Sequence, residues 1–194
     1  HMRMAVGHKV APRSRTPAAH PGGEFGGLDA SALLEKEGSR LPLYIHAASG
    51  LARIIQDEAK NVGYVQEQLA KFPSALEEIY EAQLDRLEAV HGEFIVREVC
   101  GLLASAKFGL SEDNLVGLLK QNADMGSQET ALTKLLKILD ESMWAASSAP
   151  GSPTDDAVRF CSTGLRKAVT ERYLSARAER MKTHKRLAAF LEKL

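Results

Sequence analysis

The residues predict a mainly α fold, a helical bundle followed by a winged-helix domain with a small β-hairpin wing. Three observations carry that expectation. From Leu28 to Leu139, apolar residues recur at three- and four-residue steps, the period of one helix face. Serine, proline and glycine stand at the ends of those runs, where helices start and stop. The period then shortens in 143–148 and 157–161, two strand-like runs around a loop, 149–156, rich in Pro, Gly, Ser and Asp.

Taken in order, residues 1–27 carry Arg3, Lys9, Arg13 and Arg15 without apolar periodicity, and His1-Met2 reads as a cloning remnant. This stretch is expected to be a disordered or cloning-derived tail. Ala32, Leu33 and Leu34 begin a short helix that Gly38 is expected to end. Leu41 to Ile55 is a strongly apolar helix with Pro42 in its first turn, where a missing N–H costs little. Val62 to Leu69 is a third helix. Ser74 and Glu77 have the spacing of a capping box, and Leu76, Ile79, Tyr80, Leu84, Leu87 and Val90 make one apolar face behind it. Gly92 is a natural stop. Phe94 to Lys107 repeats the pattern through Ile95, Val99, Leu102 and Leu103, and Phe108-Gly109-Leu110 turns the chain. Ser111 and Ser127 are expected to cap the next two helices, which carry Leu115, Leu118 and Leu119, then Leu132, Leu135, Leu136 and Leu139. After the hairpin come a helix at 163–174 and a basic helix from about Ala176. The expected organisation is a tail at 1–27, a small helical domain at 28–72, a winged-helix domain at 73–175 and a connecting basic helix at 176–194.

A hydrophobic content of 44% and a charged content of 26% are ordinary for a packed domain, and the formal net charge is zero. The charge is unevenly spread. Residues 29–158 hold 11 basic against 21 acidic side chains, a net of −10, and residues 159–194 hold 10 against 3, a net of +7. The plain reading is that the basic end packs on the acidic body or is solvated; an acidic partner is the sharper one. Cys100 and Cys161 sit in apolar runs without metal-ligand spacing, which fits buried free thiols in a reducing, cytoplasmic compartment. No run is apolar enough for a membrane helix, so no membrane partner is expected.

Catalytic signatures do not emerge. The chain has no Gly-x-x-x-x-Gly-Lys-Ser/Thr, Gly-x-Gly-x-x-Gly or His-Glu-x-x-His. His46, His91 and His184 fall on separate helices, and Cys100 lies mid-helix on an apolar face. The expectation is a non-catalytic module with no metal and no cofactor of its own.

Four stretches, in this order, resemble signal-transduction ATPases of the NACHT and NB-ARC type, above all NACHT proteins fused to WD or tetratricopeptide repeats. They are Leu41-Pro42-Leu43-Tyr44-Ile45, similar to the family's Gly-x-Pro motif; Phe72-Pro73-Ser74-Ala75-Leu76-Glu77-Glu78-Ile79-Tyr80; Leu102-Leu103-Ala104 through Gly109-Leu110-Ser111 to Leu115; and Arg159-Phe160-Cys161-Ser162-Thr163-Gly164-Leu165 with Arg172-Tyr173-Leu174. The resemblance implies a regulatory module that couples the ADP or ATP state of an upstream P-loop domain to downstream repeats. It implies nucleotide-contacting roles for Pro42, near the adenine, and for Ser162, which stands where the family places a phosphate-reaching histidine. Without the resemblance, Pro42 is an ordinary first-turn proline. Two other readings stay open, a nucleic-acid-binding winged helix and a helical scaffold. The helix at about 128–142, in the recognition position, balances Lys134 and Lys137 with Glu129, Asp140 and Glu141, so at most weak nucleic-acid binding is expected.

Overall fold

A computed structural model describes residues 30–59, 61–121, 129–142, 144–146, 157–160 and 162–193. The expected tail at 1–27, the Ser127 cap, Cys161 and the loop 149–156 lie outside the described residues.

The fold is mainly helical, as the periodicity predicts. A short helix α1 (Ser31–Leu34) leads through a 3₁₀ turn (Glu37–Arg40) into α2 (Pro42–Ala59), α3 (Val62–Ala70) and α4 (Leu76–His91). Next come α5 (Glu93–Ser105), β1 (Leu110–Ser111), α6 (Glu112–Lys120), α7 (Glu129–Ser142), β2 (Trp144–Ala146), β3 (Ala157–Phe160), α8 (Thr163–Tyr173) and α9 (Arg177–Leu191). Helix, strand, two helices and a hairpin, with β3 central in an antiparallel sheet of order β1-β3-β2, is the winged-helix arrangement.

Local signals explain several element ends. Pro42 is the first residue of α2. Asn61 caps α3, its Oδ1 accepting from the Gly63 and Tyr64 amides. Ser111 caps α6 by accepting from the Asn114 amide at 3.2 Å. Gly92, at φ +90°, separates α4 from α5.

Four expectations are corrected. Ser74 and Glu77 do not form a capping box: the N-cap of α4 is Ala75, without a side-chain cap. Packing sets this end of the helix, because the Tyr44 hydroxyl donates to the Pro73 carbonyl at 2.6 Å and a Cβ on Gly38 would lie 2.4 Å from the Ser74 carbonyl oxygen. Gly38 does not stop the first helix; it sits inside the 3₁₀ turn, where that close approach requires a glycine. Val90, expected on the apolar face, is 44% exposed. Finally, residues 110–111 form β1, so the wing's sheet has three strands among the described residues and not two.

One cluster of buried side chains runs from Leu33 through Leu187. Helix α2 is its centre. Tyr44, Ala47, Ala48, Leu51, Ala52, Ile54 and Ile55 are all buried, and α2 packs on α3, α4 and α7. The expected boundary at 72/73 therefore falls between elements that share this core. Gln83 on α4 is buried and its Nε2 donates to the Ala47 carbonyl on α2 at 2.7 Å. Helix α9 lies over α5 and α6, where a Cβ on Gly117 would come within 3.0 Å of the Phe190 ring.

The basic end is drawn onto the acidic body. Glu81, Asp85 and Glu88 follow one another at four- and three-residue steps, which lines them along one face of α4. Arg172 of α8 meets all three, at 2.9, 2.7 and 2.6 Å, and grips Glu88 with two guanidinium nitrogens. The Tyr173 hydroxyl donates to the same carboxylate at 2.5 Å. Burial, with that hydrogen bond, pushes the Tyr173 phenol above its usual range. Arg186 of α9 pairs with Glu98 of α5 and donates to the Leu118 carbonyl. Arg172→Met removes the counter-charge from Glu88, whose side chain is only 18% exposed. Since Arg172 is itself partly solvated, the expected loss in chemical denaturation is roughly 2–3 kcal/mol, below that for a fully buried pair. A loss under about 0.5 kcal/mol would show the network to be screened by solvent like a surface pair.

Candidate functional site

The two residues singled out for nucleotide contact lie in different surroundings. Pro42 is exposed at the start of α2, between the exposed Leu41 and Leu43. Ser162 is the N-cap of α8. Its Oγ accepts from the Leu165 amide at 3.0 Å and donates to the Tyr80 hydroxyl of α4 at 2.8 Å. The serine has the extended backbone of a cap, and its one hydroxyl proton already goes to Tyr80. Gly164 lies against the same ring, where a Cβ would come within 2.9 Å.

Ser162 stands at the mouth of an open cleft of about 280 Å³ between the end of α5, strand β3 and the start of α8. Leu103 and Ala106 form part of its apolar lining, and three cations, Lys107, Arg159 and Arg166, share the cleft. Pro42 does not line it. The fold brings the cations together from three elements. Arg166 is on the first turns of α8, and its Nε donates to the Ala104 carbonyl at the end of α5, at 2.9 Å. Arg159 is on β3, opposite Ala145 in the sheet. Lys107 follows α5 just before β1, which pairs with β3, and its Nζ lies 5.1 Å from the centre of the exposed Phe108 ring. Among the described residues, no carboxylate pairs with any of the three.

Sequence reasoning singled out Ser162 as a nucleotide contact and gave no site role to Lys107 or Arg159. The available signal was the basic run that begins at Arg159; nothing local linked it to Lys107, 52 positions earlier.

Other candidates carry less chemistry. Cys100 is buried, and burial, with the nearby Glu88 charge, pushes its thiol up to about 12, so it stays protonated and unreactive at neutral pH. His91 is half-buried at the end of α4, its Nε2 without a partner among the described residues, and burial lowers its pKa against the opposing charge of Asp57. His46 and His184 are exposed. Among the described residues no cluster of three or more His, Cys, Asp or Glu has metal-ligand geometry, and no helix is long and apolar enough to cross a membrane.

No family model, curated protein or solved structure matches the chain.

Proposed function

We propose that the chain is a non-catalytic regulatory and interaction module, the helical and winged-helix part of a nucleotide-switched ATPase of the signal-transduction type, acting in the cytoplasm. One observation carries this reading over a nucleic-acid-binding winged helix. Helix α7, in the recognition position, packs on α2 and α4 of its own chain, with Leu132, Leu135, Leu136 and Leu139 buried. A DNA-reading winged helix presents the exposed face of this helix to the major groove and surrounds it with phosphate contacts, whereas the exposed Lys134 and Lys137 are here outnumbered within the same helix by Glu129, Asp140 and Glu141. Here α2 joins the winged helix to the preceding helices through a shared core. That arrangement suits a body that rotates as a unit when a neighbouring P-loop domain changes nucleotide. The P-loop domain and the C-terminal repeats of the parent chain are the proposed partners, and ADP or ATP would be held by the parent and not by this chain alone.

Three measurements test the reading. The parent gene is expected to encode a P-loop about 200–300 residues upstream of Pro42, the length of an ordinary nucleotide-binding domain; an upstream sequence without one overturns the reading. Fluorescence anisotropy with a labelled DNA duplex is expected to show only weak binding that vanishes by roughly 0.2 M salt, as counterion release requires. Submicromolar binding at physiological salt, lost when the exposed Lys134 and Lys137 are both replaced by Ala, would favour the DNA reader. The chain itself is expected to neither hydrolyse ATP nor bind ADP at micromolar concentration, because it lacks a phosphate cradle of the P-loop kind.

A further inference from the structure

We infer that the cleft between α5, β3 and α8 recognises a phosphoryl group, and that the bearer it fits best is a phosphorylated side chain of a partner protein. The inference rests on the cleft and not on the regulatory reading. Three cations from three separate elements line one small concavity, and among the described residues none has a carboxylate partner. Like charges held together repel one another, and an anion in their midst removes that cost. Lys107 over the Phe108 ring remains a full positive charge, because a cation–π contact does not neutralise it.

The donors suit phosphate in particular. Arg166 spends its Nε on the Ala104 carbonyl, which fixes the guanidinium and leaves its terminal nitrogens unspent among the described residues. Arginine forks match phosphate oxygens in pairs, and a phosphomonoester brings a charge of about −1.5 to −2 at neutral pH. An open shape favours a bearer on a partner's surface. The cleft, at about 280 Å³, lies at the low end of small-molecule sites, which run from about 300 to 1,000 Å³, and it is open to solvent, as a phosphate carried on a protein side chain requires. The half-buried Phe160 lines the cleft, as apolar surface for residues flanking the phosphate. Arginine clusters of this kind read phosphorylated motifs in other folds.

The test is an amide NMR titration of the full chain at fixed ionic strength with four probes: N-acetyl-phosphoserine amide, its unphosphorylated counterpart, inorganic phosphate and ADP. Phosphoserine amide and phosphate are expected to bind saturably with dissociation constants of about 1 mM, shifting amides around Arg159, Ser162 and Arg166. The unphosphorylated compound is expected to shift none, and ADP to bind no more than about threefold tighter than phosphate. Lys107→Gln with Arg159→Gln, both exposed positions, is expected to weaken binding at least about tenfold while the rest of the spectrum is unchanged; Lys185→Gln, exposed on α9, leaves it intact. Absence of saturation, saturation that survives the double substitution, or ADP binding more than about tenfold tighter than phosphate would each overturn the inference.

Discussion

Leu87→Ala is expected to destabilise the chain by about 2–5 kcal/mol in a urea or guanidinium titration. Leu87 is 0% exposed on α4, the helix that meets α2, α5, α7 and α8. Truncation there removes apolar contact and leaves a cavity that the surrounding helices close only in part. Val90→Ala, one turn along the same helix and 44% exposed, is the internal control, with an expected change of no more than about 0.5 kcal/mol. The sequence pattern puts both residues on one apolar stripe, so equal losses would mean that α4 presents a different face to the core. A loss below about 0.5 kcal/mol for Leu87→Ala would mean that this helix is not part of the cooperative unit.

Gly109→Ala is expected to cost roughly 2–5 kcal/mol, from a left-handed backbone and an overpacked contact acting together. Gly109 has φ +87°, and its ideal Cβ would lie 2.5 Å from the Val158 carbonyl oxygen on β3. The obstacle is backbone, which cannot swing aside as a flexible side chain would. Gly92→Ala separates the two causes: it has nearly the same φ, +90°, with nothing within 4 Å of the new methyl. It is expected to lose only the conformational part, about 1–2 kcal/mol. If the two alanine variants lose the same amount, the turn before β1 has moved away from β3 and the three-stranded sheet is not formed as described. Amide exchange at Leu110 and Ser111 gives an independent reading of that pairing.

Both experiments bear on the candidate site as well as on stability. The cleft exists because β1 pairs with β3 and α8 leans on the end of α5. A variant that frees β1 would loosen Lys107 relative to Arg159 and weaken anion binding without touching any cation. Arg172→Met acts from the other side of α8, where the helix is anchored to α4. The three cations are thus positioned mainly by the packing of β1, β3, α5 and α8, with the Arg166 bond to Ala104 and the Lys107 contact with the Phe108 ring beside it.

The sequence by itself determined the helices, several of their ends and the hairpin. A period of three and four residues is a property of neighbours, and caps such as Asn61 and Ser111 act within one turn, so both can be read along the chain. Pro42 at the first position of α2 and Gly92 at a positive φ belong to the same class of local causes. Tertiary structure alone decided that Ser74 is no cap, because the segment before α4 is held by Tyr44 and Gly38 some thirty residues away. It alone made a strand of two residues, Leu110–Ser111, too short to show any period but paired with β3. It decided that α7 spends its apolar face on α2 and α4, and that Ser162 gives its proton to Tyr80, 82 positions earlier. It also gathered Lys107, Arg159 and Arg166 around one cleft. The physical reason is common to all of these. Helical propensity and capping are summed over adjacent residues, whereas strand pairing, close backbone approach and converging charge depend on segments that meet only once the core around α2 has formed.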